Sequence, residues 1–368
     1  MFTETTSVGL DVHARSIKSC AINTTTGEIT RSTMPNDTAL VSGYLDSLAA
    51  EQGPVLVTYE AGPTGFELSR VIAEHGHRVQ VAAPSKILRP AGDRVKTDAR
   101  DALLLARLAI NDSITPVRVP TRAQEAARDL VRAREDVRVE LMAARHRLSK
   151  LLLRHGVVYA GKQAWGRSHD AWLRRIGRQV LPGMGAGVVI AFEDYYQQVQ
   201  HLQARKDRLD EHIHALAQDS EFTDTITRLA CLRGVSVLTA TALAVEIGDW
   251  DRFTGAKIGA FLGLVPSEHS SGGSRWQGAI TRTGNAHARR LLVEAAWHHK
   301  PGYRPGKVLH ARWAKAPAAV VARADAGNRR LHRKWMMLTA AKKRHTVATT
   351  AVAREMAGWC WSLATMQI

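Results

Sequence analysis

Residues 7–33 read SVGLDVHARSIKSCAINTTTGEITRST, and this run decides how the N-terminal third folds. Residues 7–13 are a short apolar run that ends in an acid, Asp11, followed by His13. Residues 17–22, then residues 27–33 after a Thr-Gly turn, continue as the next two strands of a meander. Downstream the pattern changes. Residues 38–51 have helical character, 54–60 (PVLVTYE) form an apolar strand again ending in an acid, 65–75 are helical and 77–83 (HRVQVAA) are a further strand. Residues 97–110 form an amphipathic helix, with Leu104, Leu105 and Leu108 expected on its buried side. Three antiparallel strands followed by strands alternating with helices predict an α/β domain over residues 1–120.

Beyond residue 120 the strand signals fade. Residues 122–156 carry Leu130, Val137, Leu141, Leu148 and Leu152 at near-heptad spacing among many charges. That predicts a long helix able to pair with another, a helical coiled-coil linker over residues 121–220, and a homo-oligomer (dimer or tetramer) as one use of it. Gly, Trp and Pro interrupt the helix within 159–187, and 191–217 are helical again. Residues 221–368 form a third, mainly helical region whose tail packs through Trp313, Trp335, Trp359 and Trp361.

The chain has 368 residues and a net charge of +17, unevenly spread. Residues 1–120 hold 12 Lys and Arg against 13 Asp and Glu, whereas residues 287–368 hold 16 against 3. A basic C-terminal region on a near-neutral N-terminal domain points to a phosphate-backbone partner. The three cysteines, Cys20, Cys231 and Cys360, are far apart and form no metal-binding spacing, which suits a reducing compartment without disulfides. No apolar run reaches the roughly 18 residues that a membrane span needs. The N-terminus has no signal-peptide pattern, so a cytoplasmic, nucleoid-associated location with no membrane partner is expected.

Four carboxylates recur at informative places. Asp11 in VGLDVH and Glu60 in VTYEAG end two strands, and strand ends in an α/β sheet share an edge where ligands bind. Asp98 and Asp101 in KTDARDALLLA open a helix, and their i, i+3 spacing puts them on one face. Clustered carboxylates raise one another's pKa unless a cation joins them. Mg²⁺, a hard ion satisfied by carboxylate, water and phosphate oxygens, fits such a set. A pair of such ions about 4 Å apart would clamp the attacking and leaving oxygens of a phosphodiester. Lys96 and Arg100 beside these acids could touch phosphate or balance charge. The run GLDVHARSIK also loosely resembles the first phosphate loop of sugar kinases and actin-like ATPases. The second Gly-rich strand loop those proteins need is missing, since Asp249 in IGDW lacks the glycines.

In the C-terminal region, residues 226–246 (ITRLACLRGVSVLTATALAVE) resemble a helix-hairpin-helix, whose second-helix amides face a DNA phosphate. Ser236 stands where that pattern has a second glycine. Residues 267–278 are Ser/Gly-rich and read either as a flexible polar loop or as a place where backbone approaches phosphate. Ser270, Ser271 and Ser274 lie there beside Gly272 and Gly273. Arg275, Arg282, Arg289 and Arg290 supply charge, and Asn285 is placed to cap a helix from about Ala286.

Taken together, GLDVH, YEAGPTGFEL, KTDARDALLLARL, GLVPSEHSSGGSRWQGAITRTGNAHARRLLVEAAW and AREMAGWCW resemble the DEDD transposases of the IS110 insertion-sequence group. The resemblance spans nearly the whole chain and is weakest over residues 157–215. It implies a RuvC-like (RNase H-like) N-terminal domain with Asp11, Glu60, Asp98 and Asp101 as metal ligands. It also implies a helical linker and a C-terminal transposase domain with a nucleophilic serine. That serine maps to Ser271, with Ser270 adjacent. The resemblance further implies a covalent phosphoserine link to double-stranded DNA, a site completed by the serine of another subunit, and a structured guide RNA. A RuvC-like nuclease that uses the same acids with water as nucleophile, and a non-catalytic nucleic-acid-binding protein, are the competing readings.

Overall fold

The computed structural model describes residues 4–88, 97–271 and 273–367. The chain divides into two compact units, Met1–Thr121 and Arg122–Ile368.

The first unit is built on a five-stranded sheet. Its strands are β1 (Thr6–Val12), β2 (Ser16–Asn23), β3 (Ile29–Pro35), β4 (Val55–Glu60) and β5 (Arg78–Ala82). Between them lie α1 (Thr38–Gln52) and α2 (Glu67–Glu74), and α3 (Asp98–Ile110) follows. The sheet order is β3-β2-β1-β4-β5. The meander β1–β2–β3 is antiparallel, while β4 joins β1 in parallel and β5 joins β4 in parallel, as the change of pattern at residue 38 predicts. Helix α1 starts where the Asp37 carboxylate accepts from the amides of Ala39 and Leu40, which supplies two of the orphan donors of the first turn.

Alternation along β1 sorts its side chains. Val8 and Leu10 enter a core with Val41, Leu45, Val57, Tyr59 and Ile72. Ser7 and Gly9 face the other way, toward α3: the Ser7 hydroxyl donates to the Ala106 carbonyl at 2.9 Å. A Cβ on Gly9 would lie 1.9 Å from the Ala102 carbonyl oxygen. This close approach corrects one expectation. Leu105 is buried, but Leu104 and Leu108 are half-buried, and Ala102, Ala106 and Ala109 take the inner face instead. Small side chains are needed where helix backbone meets strand backbone.

The second unit is mostly helical. Two 33-residue helices, α4 (Arg122–Arg154) and α6 (Ala186–Gln218), flank α5 (Arg167–Gln179). They run antiparallel, because Arg134 bonds Asp210 whereas Arg147 bonds Gln198. The heptad positions Val137, Leu141, Leu148 and Leu152 pack with Phe192, Val199 and Leu202, so α6 of the same chain takes up this stripe. A second core gathers α7 (Thr223–Leu229), α8 (Val237–Ile247), α9 (Ile258–Phe261) and α10 (Ala286–Ala296). With them pack α12 (Ala318–Ala340) and α13 (His345–Ala364), while α11 (Lys307–Trp313) precedes these two in the chain. Trp335 is buried in this core, and Trp313, Trp359 and Trp361 pack against it. Of the Ser/Gly-rich run read in sequence as a flexible loop or a place of phosphate approach, residues 267–271 and 274–278 lie in an antiparallel ribbon of β6 (Pro266–Ser271) and β7 (Ser274–Ile280). No helix among the described residues is long and apolar enough to cross a membrane. All three cysteines are free and buried.

Candidate functional site

The site in the first unit follows from β1. Asp11 is two residues beyond Gly9, so alternation turns it to the same face, and the tight contact at Gly9 brings the start of α3 beside it. His13 Nε2 is 3.2 Å from Asp11 Oδ2 and 3.8 Å from Asp98 Oδ2. Donor atoms of Asp11, His13 and Asp98 all lie within 4.8 Å of one another. Lys18 is the cross-strand partner of Asp11, and its ammonium sits 2.9 Å from Asp98 Oδ2.

Electrostatics show what this grouping does. Burial raises the Asp11 carboxyl above the ordinary aspartate range. His13 opposes the rise, and the nearby charges of Asp98 and Asp101 add to it. Asp98 goes the other way: the Lys18 hydrogen bond holds it down, aided by the Lys18 charge and by His13. Two adjacent carboxylates with opposite shifts mark a cluster that lacks positive charge and recruits it from Lys18. The donor set fits a divalent cation, because half-exposed carboxylate oxygens suit a hard ion and the raised Asp11 would be relieved by one.

Asp11 and Asp98 are thus brought together, and Asp101, in the first turn of α3, is near enough for its charge to act on Asp11. Glu60 ends β4 one residue beyond the Leu10–Tyr59 pair, at the same sheet edge as Asp11, with its side chain exposed. His13 and Lys18 were missed from the sequence. The signal for His13 was its i, i+2 relation to Asp11 in VGLDVH. Lys18 could be found only from the register of the β1–β2 hairpin. Lys96 lies outside the described residues, and Arg100 is exposed on the first turn of α3.

The serine region belongs to the second unit. In the ribbon register Ser270 opposes Arg275 and Ser271 opposes Ser274. The base of the ribbon closes on the segment that joins α9 to β6. Thr281 N donates to Val265 O and Arg282 N to Gly263 O. A Cβ on Gly284 would lie 1.9 Å from the Phe261 carbonyl oxygen. Asn285 caps α10, accepting from Ala288 N at 2.9 Å, and its amide donates to Glu246 at 2.7 Å.

Glu246 is buried and receives Arg132 through both carboxylate oxygens, together with His287. Burial alone would raise this carboxyl, but the hydrogen bonds from His287 and Arg132 bring it down to about 2. Two of the arginines singled out for nucleic acid are engaged within the chain. Arg289 donates to the carbonyls of Leu262 and Thr283, and Arg290 pairs with Glu135 and Glu294. Arg282 is exposed, with φ +56°.

Comparison with known proteins gives a consistent set. A DEDD IS110-type family model described as "Transposase" matches residues 8–156. A second, described as "Transposase IS116/IS110/IS902 family", matches residues 226–306. A protein of Sinorhizobium fredii named as a transposase is 36% identical over 321 residues, 87% of this chain and 78% of the relative. The transposase for insertion sequence element IS1533 of Leptospira borgpetersenii is 31% identical over 350 residues, 92% of this chain and 97% of the relative. A protein of Pseudomonas aeruginosa with a family 20 transposase name is 29% identical over 245 residues, 66% of this chain and 70% of the relative.

Proposed function

This chain belongs to the IS116/IS110/IS902 family and is a DNA transposase, and from that premise we propose that it cuts DNA strands by metal-dependent phosphodiester chemistry at the Asp11–Asp98 edge. The observation that carries this reading is the meeting of Asp11, His13 and Asp98 at the end of β1. Asp11 and Asp98, with Asp101 and Glu60 at the same edge, would hold Mg²⁺, in a pair if all four acids take part. A divalent ion bound there supplies Lewis-acid charge to the phosphodiester. His13 orients the Asp11 carboxylate through their 3.2 Å contact. Lys18 balances Asp98 and is placed to meet a phosphate oxygen.

Water suffices as the nucleophile in this site. Its oxygen forms the new bond to phosphorus and releases a proton to solvent, the ester bond to the leaving sugar oxygen breaks, and that oxygen takes up a proton.

A second reading makes a serine the nucleophile, and the place of Ser271 at the end of β6, beside the ribbon turn, favours it. The Ser271 Oγ would form the bond to phosphorus and lose its proton to a base, while the ester bond to one sugar oxygen breaks and that oxygen takes up a proton, so the phosphodiester energy is kept in the phosphoserine link for strand exchange. Ser270 is the neighbouring candidate. In this reading Arg275 and Arg282 hold DNA backbone, with Lys96 and Arg100 doing so near the acids. The α7–α8 pair serves as a helix-hairpin-helix, a second copy of the chain completes the site, and a guide RNA selects the DNA.

One experiment separates the two. Purified protein, Mg²⁺ and end-labelled duplex DNA, with and without element RNA, are run on a denaturing gel beside Asp11→Asn, Ser271→Ala and Ser270→Ala. Cleavage that is lost in Asp11→Asn and kept in both serine variants establishes the water route. A protein–DNA adduct lost in Asp11→Asn and in one serine variant establishes the serine route and names the residue. Cleavage that survives Asp11→Asn would overturn the assignment of the acidic edge.

A further inference from the structure

The β6–β7 ribbon is rooted at one end and open at the other. Ile280, at its base, packs against the apolar core of the second unit, and Thr281 N donates to Val265 O at 2.9 Å. Further out along β7, Trp276 is 59% exposed, against 39% for Trp297. A two-stranded ribbon has too little surface to bury both of its faces, so this indole is left to solvent or to a partner.

The indole is held in place. In the ribbon register Trp276 lies opposite His269, and the two rings sit 5.6 Å apart, tilted by 38°. Gly278, two positions along β7, falls on the same face by alternation. A Cβ there would lie 3.4 Å from Cζ3 and Cη2 of Trp276, so the six-membered ring lies over a residue without a side chain. Two torsions set the direction of an indole, and both neighbours limit them, so little freedom is lost when a partner meets it. The pairing with His269 stabilises the ribbon, yet more than half of the tryptophan stays open.

Its place in the register says what that partner is. The Ser271–Ser274 pair follows two positions closer to the turn, about 7 Å along the strands at roughly 3.4 Å per residue. That is about two base steps of a stacked nucleic-acid strand. Strand exchange takes bases near the break out of their first duplex. A paired base shows a protein only its edge in a groove, whereas an unpaired base shows a π-face on which an indole can stack. Arg282, exposed where the ribbon ends, adds positive charge for the backbone of such a strand.

We propose that Trp276, backed by His269, is a stacking platform for an unpaired DNA base beside the scissile phosphate. Which base it holds rests on the reading that puts Ser271 at that phosphate. The stacking itself is read without any cleavage.

The test uses the full chain carrying Asp11→Asn, so that no strand is cut. It is titrated with a forked DNA duplex that has 2-aminopurine as an unpaired base, and with a fully paired duplex of the same length. Binding of the fork should quench the 2-aminopurine fluorescence. Trp276→Leu should remove the quench and weaken fork binding about tenfold, with affinity for the paired duplex unchanged within twofold. Trp276→Phe, which keeps an aromatic face, should retain most of the quench, and a wild-type thermal midpoint in both variants would show that they remain folded. Adding Ser271→Ala should leave the quench intact, so failure of the serine route is read in the adduct assay and not here. Absence of a quench, or a quench that survives Trp276→Leu, would overturn the proposal. So would an equal loss on the paired duplex, which would seat the ribbon in an intact groove, or a loss seen only with the RNA version of the fork. A change of oligomeric state in Trp276→Leu on size-exclusion chromatography would place the indole at an interface between copies of the chain instead.

Discussion

Gly9 and Ala102 meet backbone to backbone: a Cβ on Gly9 would sit 1.9 Å from the Ala102 carbonyl oxygen and 2.7 Å from Ala106 N. This contact sets the distance between β1 and α3, and with it the distance between Asp11 and Asp98. Gly9→Ala should therefore destabilise the first unit by about 3 kcal/mol or more, since rigid backbone must move to admit the methyl group. Urea unfolding followed by far-UV circular dichroism checks the stability, and the cleavage assay should fall with it. A wild-type midpoint would mean that the helix can slide without cost.

Lys18 places a positive charge 2.9 Å from Asp98, where it competes with any divalent ion. Lys18→Met should tighten Mn²⁺ binding several-fold, as read by isothermal titration calorimetry, because repulsion between the ammonium and the ion is removed. Weaker binding in the variant would instead make Lys18 a support for the metal-bound arrangement.

Asp11→Asn and Asp98→Asn should each lower the rate of DNA cleavage by about 10³-fold, the scale expected when charge stabilisation of a reacting phosphate is lost. Duplex affinity should stay within a factor of two of wild type. An equal loss of affinity and rate would place these acids in binding rather than chemistry.

Glu246 gives the second unit an acid-sensitive fastening. Its carboxyl is held at about 2 in the folded chain, against an ordinary glutamate value of about 4.5. A depressed acid contributes stability that is fully present above its unfolded value. That contribution, on the order of 3 kcal/mol, should fade between pH 4.5 and 2. Glu246→Ala should cost about 3–5 kcal/mol at pH 7, because Arg132, Asn285 and His287 lose their shared acceptor. The variant should also show a flatter decline of denaturant midpoint with acid than wild type. Parallel declines would remove Glu246 as the titrating group.

Asn285→Ala removes both the α10 cap and the 2.7 Å bond to Glu246. A loss of about 1–2 kcal/mol is expected, in the range of cap substitutions. Chemical denaturation monitored by tryptophan fluorescence reads it directly. No loss would show that Arg132 and His287 hold Glu246 without the asparagine.

Local rules carried the sequence reading a long way. The meander, the two parallel strands, the acids at strand ends, the paired acids opening α3 and the Asn285 cap all rest on period-2 alternation, helical spacing or nearest-neighbour hydrogen bonding. These are properties of a few consecutive residues, so the amino-acid order by itself determines them. What the order left open depends on partners distant in the chain. Leu104 and Leu108 yielded the inner face of α3 to alanines because Gly9, about 95 residues earlier, admits helix backbone at that point. The heptad leucines of α4 pack against α6, whose register no local pattern states. Arg289 and Arg290 look like free cations in sequence, yet they are spent on carbonyls and carboxylates that the fold brings to them. His13 and Lys18 joined the acidic cluster through a hairpin register and a strand-to-helix contact. Sequence thus placed the charges along the chain, and only tertiary packing decided which of them share a site, because a contact's energy depends on the neighbour it meets and the chain order does not name that neighbour.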